Sequence, residues 1–500
     1  MPSTLSLPDL LVLLAYLVGV TGLGVWFYHR NRESEHFMSA GRSLPGWAVG
    51  LSIFGSYVSS ISFLANPGKS YAGDWNAFVF AISLPLAAWV AVRWFVPFYR
   101  TAGDLSAYHH LERRFGAWAR LYAVLCYILT QVTRLGTILY LLALALVPLT
   151  GWDIRTIILV AGVVIVVYPL LGGTEAVIWT GVVQAVVLVG GALAALAVIL
   201  LKMPGGAGPA LAEAAAQGKF GLGAWDGSLA KSTFWVVLVY GVVINLQNFG
   251  VDQSYVQRYI TARSDGAASR SVWLGALLYL PVGAAFFFIG TALHAFYSAQ
   301  PDLLPAGLKA DGVFPFFIST QLPAGLAGLV VAGLCAAAMD SNLNCMSTLF
   351  LNDVYRRHLR PGAGEREAMR VLRYSTLGFG AVCVAAALAM ISIKSALDVW
   401  WELAGIFGGG MLGLFLLGRL IPRADGRAGL VGVSAGILVI LWLTLSPRLA
   451  WWPEAWRSPF HGLLVIVFGT LSILFAGGAA AFLFPRRASA SAPSLSATSP

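Results

Sequence analysis

Residues 324–353 read AGLAGLVVAGLCAAAMDSNLNCMSTLFLND, and this stretch decides which class of fold the chain can adopt. Its first half is apolar and rich in small residues, and its second half carries Asp340, Ser341, Asn342 and Asn344. The stretch is long enough to cross a bilayer as a helix, which takes about 20 residues. A carboxylate at that depth costs on the order of 3 kcal/mol unless it is partnered, so Asp340 is a candidate functional residue.

The composition extends this interpretation to the whole chain. Of its 500 residues, 58% are hydrophobic and only 11% are charged, which is far too apolar for an ordinary soluble protein. Apolar runs of about 20 residues recur along the chain, so we predict an all-α polytopic membrane protein embedded in the lipid bilayer. The net charge of +10 does not indicate nucleic-acid binding, because the basic residues lie in short loops between the runs. The apolar runs contain no HExxH motif, nucleophile elbow or pair of catalytic carboxylates, so the sequence gives no indication of an enzyme.

We predict thirteen membrane spans from the apolar runs. They lie near residues 7–28, 44–66, 75–99, 117–149, 156–171, 176–201, 229–250, 270–298, 318–352, 369–392, 396–420, 428–446 and 460–484. With the N-terminus outside and the C-terminus inside, the inner segments hold 21 of the 32 Lys and Arg residues and the outer segments hold 9. This asymmetry is the one that the positive-inside rule requires. Residues 202–228 are predicted as an external loop, and the tail after Arg487 as disordered.

Two spans carry polar centres beside a glycine. The second span places Gly55, Ser56, Ser59 and Ser62 near its middle, and span 229–250 ends with Asn245, Gln247, Asn248 and Gly250. Interrupted helices at corresponding places in two halves are typical of a transporter binding site. The alternatives are a serine-rich packing face for the first span and amide bonding between helices for the other.

Arg134 lies deep in span 117–149, within LTQVTRLGTILY. It could bind a substrate carboxylate through its guanidinium fork, or it could pair with a carbonyl or carboxylate for structural reasons. Trp400 and Trp401 are interpreted as membrane-interface anchors.

Five motifs together resemble the sodium/solute symporter family, which includes sodium–glucose and bacterial sialic acid transporters. They are SIFGSYVSSISFLANPGKSYAGDW, DLSAYHHLERRFG, LGGTEAVIWTGVVQ, DQSYVQRYIT and AGLCAAAMDSNLNCMSTLFLNDVYRR. The resemblance implies a five-plus-five inverted-repeat transporter fold with one preceding and two following spans. The implied divisions are 1–43 for the extra span and a cytoplasmic loop, 44–201 for the first repeat, 202–228 for the external loop, 229–420 for the second repeat, 421–487 for two further spans, and 488–500 for the tail.

The resemblance also implies a sodium site formed by the first and eighth core helices. The first helix would supply the carbonyls of Gly55 and Val58. Members of the family commonly carry a Ser-Ser or Ser-Thr pair after AGLFAAAM, whereas here AAAM runs directly into DSNLN. Aligned on AGLCAAAM, the ligand positions become Ala337, Asp340 and Ser341. Aligned on DSNLNCMST, the two hydroxyl positions become Ala337 and Ala338.

A second departure lies in WTGVVQ, where Gly181 stands at a position that relatives often fill with Asp. The expected ion machinery is therefore altered on two helices that face each other in the family's fold. Asp340 could replace a hydroxyl ligand, carry a coupling proton, or bond to Asn342 or Asn344 without a role in transport.

The substrate positions implied by the resemblance are Ser59, Ser62, Arg134, Asn245 and Asn248. Arg134 matches an arginine that binds the carboxylate in sialic acid transporters. We therefore expect a secondary active transporter of a sugar or carboxylated sugar in the cell inner membrane, coupled to Na⁺ and monomeric. The alternatives are a Na⁺-independent or H⁺-coupled carrier and a membrane sensor that no longer transports.

Overall fold

The structure, a computed structural model, describes residues 6–30, 43–102, 106–338, 342–392 and 395–484. Within these ranges the regular elements are helices, together with one isolated parallel bridge between Leu44 and Ala262. The prediction of an all-helical fold is thus confirmed for the described residues.

Most helices of the first half coincide with predicted apolar runs, but residues 66–72 and 109–115 form helices outside them, and one helix of 48 residues covers the two predicted spans 156–171 and 176–201. The bounds of the helices are α1 (Leu7–Arg30), α2 (Gly46–Tyr57), α3 (Asn66–Ala72), α4 (Val79–Val90), α5 (Val96–Ala102), α6 (His109–Phe115), α7 (Ala117–Thr150) and α8 (Ile154–Leu201). A π-helical turn, Ile61–Ala65, precedes α3, and another, Ala91–Phe95, joins α4 to α5. π-helical turns of this kind are frequent at functional sites.

The second half begins with a short helix in the predicted external loop. Its bounds are α9 (Ala207–Ala216), α10 (Phe234–Val251), α11 (Gln253–Ile260), α12 (Asp265–Ala299), α13 (Ala310–Gln321), α14 (Leu326–Ala338), α15 (Asn342–Leu349), α16 (Glu365–Ala389), α17 (Ala396–Leu420), α18 (Gly426–Leu445) and α19 (Val465–Leu483). A ten-residue π-helical segment, Phe350–Leu359, continues α15.

The described residues contain nine helices that are long and apolar enough to cross a membrane. The bent pair Gly46–Tyr57 and Ile61–Ala72 would make a tenth span. Three shorter apolar helical stretches fall in three further predicted spans: Leu7–Tyr16 within α1, Ile154–Val166 within α8 and Leu326–Cys335 within α14. The chain is therefore a multi-pass membrane protein, while the count of thirteen spans stays a prediction.

The predicted span 318–352 differs from the observed helices at its start. Residues 310–321 form the separate helix α13, and Pro323 and Gly325, which has a φ of 87°, separate it from α14. Proline disfavours helical geometry in the residue before it, and a positive φ is readily adopted only by glycine, so the new helix begins at Leu326. α14 ends at Ala338 and α15 begins at Asn342; Asp340 and Ser341 lie outside the described residues.

The C-terminal end of the stretch 324–353 is held in place by a buried carboxylate. Asp353 is fully buried, and its Oδ1 accepts a hydrogen bond from Arg120 Nε at 2.7 Å while its Oδ2 accepts one from Ser106 Oγ at 2.8 Å. Arg120 also pairs with Glu112, at 2.7 Å, and Arg357 pairs with the same carboxylate at 2.6 Å. Burying an ion pair is tolerated when its remaining hydrogen bonds are satisfied, as they are here. The network joins α6, the start of α7 and the end of the π-helical segment.

Candidate functional site

The helix spanning residues 46–72 is broken near its middle. α2 ends at Tyr57, Val58 is extended with φ −96° and ψ 91°, and the axis turns by 54° before the second half continues. A break in the hydrogen-bond ladder frees main-chain carbonyls, and Tyr57 O accepts a hydrogen bond from Ser62 Oγ at 2.6 Å. The interruption predicted from the serine-rich centre is present.

A second break separates α10 from α11. It lies at Asp252, with φ −79° and ψ 120°, and not at Gly250, which remains inside α10. Asp252 caps α11, because its carboxylate accepts hydrogen bonds from Ser254 N at 2.8 Å and from Ser254 Oγ at 2.5 Å. A side chain at Gly250 would meet the ring of Phe95, so this glycine allows close helix packing and does not cause the break.

The two breaks meet at a central cavity that α7 and α17 complete. The cavity holds about 800 Å³ free of protein atoms, counting its open mouth. Four of the five predicted substrate residues line it: Ser59, Ser62, Arg134 and Asn248. These four side chains come from three separate helical segments, so only the tertiary structure brings them together.

Asn245, the fifth predicted residue, is not among the lining residues. It is fully buried, its Nδ2 donates to Ser83 Oγ at 3.1 Å, and its Oδ1 accepts from Asn248 Nδ2 at 3.4 Å. Asn245 therefore supports Asn248, because its side-chain amide accepts a hydrogen bond from the Asn248 amide, which lines the cavity.

Arg134 is the basic residue that lines the cavity. Its side chain is 7% exposed, its Nη2 donates to the carbonyl of Ser56 beside the first break, and its Cζ lies 5.9 Å from the ring centre of Trp400. An arginine at this depth needs partners for its charge, and a carbonyl and an aromatic face supply part of that need. A guanidinium presents five N–H donors in a planar fork, and this geometry matches a carboxylate.

The interpretation of Trp400 and Trp401 as interface anchors is wrong. Both line the central cavity, and Trp401 stacks on Phe80 with ring centres 5.8 Å apart and packs on Tyr240 at 5.4 Å. On another wall, the ring of Tyr57 lies 5.2 Å from that of Tyr255. From sequence, a tryptophan pair near the end of a span is compatible with the membrane interface and with a cavity wall. The packing of the helices decides between the two positions.

Three further polar side chains line the cavity: Gln131 and Asp252, which no sequence pattern singled out, and Gln247, which was marked only as one of the amides at the end of span 229–250. Gln131 Nε2 donates to Asp252 Oδ2 at 2.8 Å, while Gln131 Oε1 and Gln247 Nε2 are buried without a hydrogen-bond partner among the described residues. A buried polar atom without a partner costs about 1–3 kcal/mol, so such atoms in a cavity favour a polar ligand. Gln131 lies three residues before Arg134, on the same face of α7, and this spacing could have identified it.

Three of the five expected sodium ligands, Gly55, Val58 and Ala337, lie within the described residues. In the described residues, no group donates a hydrogen bond to the carbonyl oxygens of Gly55 and Val58, which leaves both available to a cation. Ala337 lies in the last turn of α14, while Asp340 and Ser341 lie outside the described residues. Free main-chain carbonyls are hard oxygen ligands of the kind that an alkali cation prefers.

Gly181 faces the first broken helix, as the resemblance implied. A Cβ atom on Gly181 would lie 3.4 Å from Ser52 Oγ, and one on Gly55 would lie 3.5 Å from the carbonyl oxygen of Gly181. The position therefore adjoins the expected ion region, and it supplies no side-chain oxygen there.

A second cleft adjoins the cavity and has a volume of about 1510 Å³. The two spaces share Ala77 and Trp401 in their walls. Two ion pairs line this cleft, Lys69 with Asp398 at 2.7 Å and Arg448 with Glu402. Ala77 and Trp401 therefore separate the central cavity from this polar cleft at the surface.

Comparison with known proteins places this geometry in a family. The profile of the sodium:solute symporter family matches residues 37–436. The sodium/sialic acid symporter SiaT of Proteus mirabilis is 34% identical over 95% of this chain and 94% of its own length. The human sodium-coupled monocarboxylate transporter 1 is 28% identical over 88% of this chain and 74% of its own length.

Solved structures agree with this assignment. The structure described as the substrate-bound outward-open state of a Na⁺-coupled sialic acid symporter superimposes with a TM-score of 0.88, at 32% identity, over 96% of this chain and 98% of that one. A nucleobase-cation-symport-1 family transporter in a closed conformation superimposes with a TM-score of 0.54 at 13% identity, over 89% of this chain and 93% of that one, which shows the fold alone.

These similarities do not favour the alternatives of a Na⁺-independent carrier, an H⁺-coupled carrier or a sensor without transport. The family profile covers most of the chain, and the matched region contains both broken helices and the cavity between them. The chain belongs to the sodium:solute symporter family and is a secondary active transporter that couples the movement of a solute to Na⁺.

Proposed function

We propose that the central cavity binds a carboxylated sugar of the sialic acid class and carries it across the membrane together with Na⁺. The observation that carries this proposal is the buried guanidinium of Arg134 in the cavity wall, over the ring of Trp400. A charge-assisted hydrogen bond to a carboxylate is roughly twice as strong as a neutral one, and it gains further strength in a site shielded from water. The names of the two relatives reported above both specify carboxylate substrates.

The rest of the cavity suits the hydroxyl groups of a sugar better than an aliphatic chain. Ser59, Ser62 and Asn248 supply hydroxyl and amide groups, and Asn245 holds Asn248 in place. The buried Gln131 Oε1 can accept from a substrate hydroxyl, and this requirement would reject a solute without donors. A short monocarboxylate could satisfy Arg134 but would leave these groups without partners.

The proposed Na⁺ site lies beside the first break. The carbonyls of Gly55 and Val58 are its ligands from α2, and their lack of other described donors supports this role. Ala337, Asp340 and Ser341 are the proposed ligands from the eighth core helix. A carboxylate in this set would bind Na⁺ more strongly than a hydroxyl does, which would compensate for the missing serine pair.

The proposed architecture is a five-plus-five inverted repeat with thirteen spans, with residues 44–201 and 229–420 as the two repeats. Residues 1–43 form the extra first span, 202–228 the external loop, 421–487 the two following spans, and 488–500 the tail. The occurrence of the two broken helices at the start of the two halves supports this division. We propose an N-out, C-in monomer in the cell inner membrane.

The proposal is tested by ligand-induced thermal stabilisation of the purified protein. A panel should contain a sialic acid, the matching neutral sugar and a short monocarboxylate, each with Na⁺ and with K⁺ in its place. Only the sialic acid with Na⁺ should raise the melting temperature substantially, because ligand binding to the folded state stabilises it. Uptake into liposomes should then require an inward Na⁺ gradient.

The Arg134→Ala variant should weaken sialic acid binding by about tenfold or more, since it removes a charge-assisted hydrogen bond of roughly 1.5–3 kcal/mol. The matched control is Arg93→Ala, which removes an exposed arginine from a membrane helix away from the cavity. Equal stabilisation by the neutral sugar and the acid, or unchanged binding in Arg134→Ala, would contradict the substrate assignment.

A further inference from the structure

A basic cleft lies far from the central cavity, where the start of α2 meets the start of α12. It has a volume of about 830 Å³ and opens to the surface. Its walls include Trp47, Arg263, Arg270 and Leu274. None of the described residues that line the cleft is acidic, so this part of its wall carries two positive charges and no negative one.

Both arginines are available to a ligand. Arg263 and Arg270 are exposed, and in the described residues the side chain of Arg263 makes no hydrogen bond or ion pair. Arg270 Nε donates to the carbonyl of Gly266 at 3.2 Å, on its own helix, and no other described residue accepts a hydrogen bond from its guanidinium. The neighbouring carboxylate of Asp265 is already paired with Arg100, and its side chain is 81% exposed. Two guanidiniums with unused donors match the geometry of a phosphate group.

The cleft is apolar on the side away from the charges. Ala267, Arg270 and Leu274 follow one another at helical spacing, so they lie on one face of α12. Leu274 is 36% exposed and lies one turn beyond Arg270, about 6 Å along the axis. Trp47, on the opposite wall, is 52% exposed and is held by an edge contact with Trp179 at 5.6 Å. Charges followed by an apolar surface fit a lipid headgroup above its acyl chain.

The cleft is also built on a rigid junction. Leu44 N donates to Thr261 O and Arg263 N donates to Leu44 O, each at 3.1 Å, which ties the entry to α2 to the entry to α12. Gly46 packs directly on α12, since a Cβ atom there would lie 2.7 Å from Ala267 O. The spacing of the wall residues is therefore fixed before a ligand arrives.

We propose that this cleft binds the headgroup of an anionic phospholipid, with Arg263 and Arg270 holding the phosphate and with Trp47 and Leu274 contacting the acyl region. The charge distribution of the loops assigns this end of α12 to the cytoplasmic side, where basic pockets between membrane helices recruit anionic lipids. The bound lipid bridges α2, which belongs to the first broken helix, and α12.

The test is a lipid titration of the purified full-length chain in detergent, followed by its melting temperature. Dioleoyl-phosphatidylglycerol should raise the melting temperature, and dioleoyl-phosphatidylcholine should not. In the Arg263→Gln/Arg270→Gln variant the phosphatidylglycerol concentration needed for half of the effect should rise about tenfold or more. Each single variant should show a smaller shift in the same direction.

The matched control is Arg366→Gln/Arg370→Gln. These arginines are also exposed, and Arg370 Nε bonds to the carbonyl of Arg366 just as Arg270 does to Gly266, but they line no described cleft. The control should keep the wild-type titration. Loss of the effect in the control, its persistence in Arg263→Gln/Arg270→Gln, or equal stabilisation by glycerol phosphate, which has no acyl chain, would overturn the proposal.

Discussion

At the scale of single residues, the first turn of α1 holds the beginning of α14. Asp9 Oδ1 accepts hydrogen bonds from Gly325 N and Gly328 N, each at 2.7 Å. The first N–H groups of a helix have no partners within that helix, so a carboxylate from a neighbouring helix satisfies them as a capping residue would. The same carboxylate ties the first helix to the segment that carries Ala337.

The Asp9→Ala variant should lower the free energy of unfolding by about 1–2 kcal/mol, because one buried and one partly buried N–H group lose their acceptor. The loss of stability should appear as a drop of a few degrees in the melting temperature. The control is Asp153→Ala, where the carboxylate caps α8 through weaker, exposed bonds of 3.4 and 3.5 Å. If both variants shift the melting temperature equally, the special role of Asp9 is refuted.

The cavity residues show how far sequence reasoning reaches at this scale. Arg134, Ser59 and Ser62 could be chosen from sequence because a charge or a hydroxyl cluster at membrane depth is unusual. Asp252 and Gln131 could not be paired from sequence, since 121 residues separate them and their contact depends on how α7 meets the second break. Asn245 and Asn248 could not be ranked, because only packing decides which amide reaches the cavity.

At the scale of elements, close helix contacts depend on particular glycines. Gly290 of α12 faces the main chain of α3, and a Cβ atom there would lie 2.1 Å from Pro67 O. Gly378 of α16 has nothing within 4 Å of the corresponding position. Small residues let membrane helices approach closely, so the same residue type has different consequences at these two sites.

The Gly290→Ala variant should lose stability by about 1–3 kcal/mol and should impair uptake, because the methyl group forces α3 away from α12. Gly378→Ala should be neutral or slightly stabilising, since alanine favours the helix by roughly 0.5–1 kcal/mol. Melting temperatures and liposome uptake of both variants provide the measurement. Wild-type behaviour of Gly290→Ala would show that the two helices can separate freely.

The α6 element is held by charge, which makes its stability depend on pH. Partial burial acts to raise the pKa of Glu112, but hydrogen bonds from Arg120 and Arg357 outweigh it and lower that pKa below its usual range. A group whose pKa is lowered on folding stabilises the fold above its unfolded pKa, and this contribution is lost as the pH falls through the folded value.

The Glu112→Gln variant should therefore melt at a lower temperature than the wild type near about pH 7, and the difference should shrink as the pH is lowered below about 4. Thermal melts of both proteins across this range measure the difference. Glu454→Gln serves as control, because Glu454 is 90% exposed and pairs only loosely with Arg457 at 3.7 Å. A difference that is independent of pH would contradict a charged role for Glu112.

At the scale of the whole molecule, the proposed orientation places residue 454 outside and residue 366 inside. Both can be tested as single cysteines once Cys126, Cys335, Cys345 and Cys383 are replaced. A membrane-impermeant maleimide should label Glu454→Cys in intact cells and should label Arg366→Cys only after permeabilisation. The reverse pattern would invert the topology, and labelling of both in intact cells would contradict the span count between them.

The sequence was sufficient to identify the membrane class, most of the long apolar helices and the family, because apolar run length and motif order are local properties of the chain. It also identified the first broken helix and the buried arginine. Three features needed the folded structure: the position of the second break at Asp252, the orientation of Trp400 and Trp401 toward the cavity, and the place of Asn245 behind Asn248. These are contacts between distant helices, and their geometry is set by packing, which no local pattern encodes.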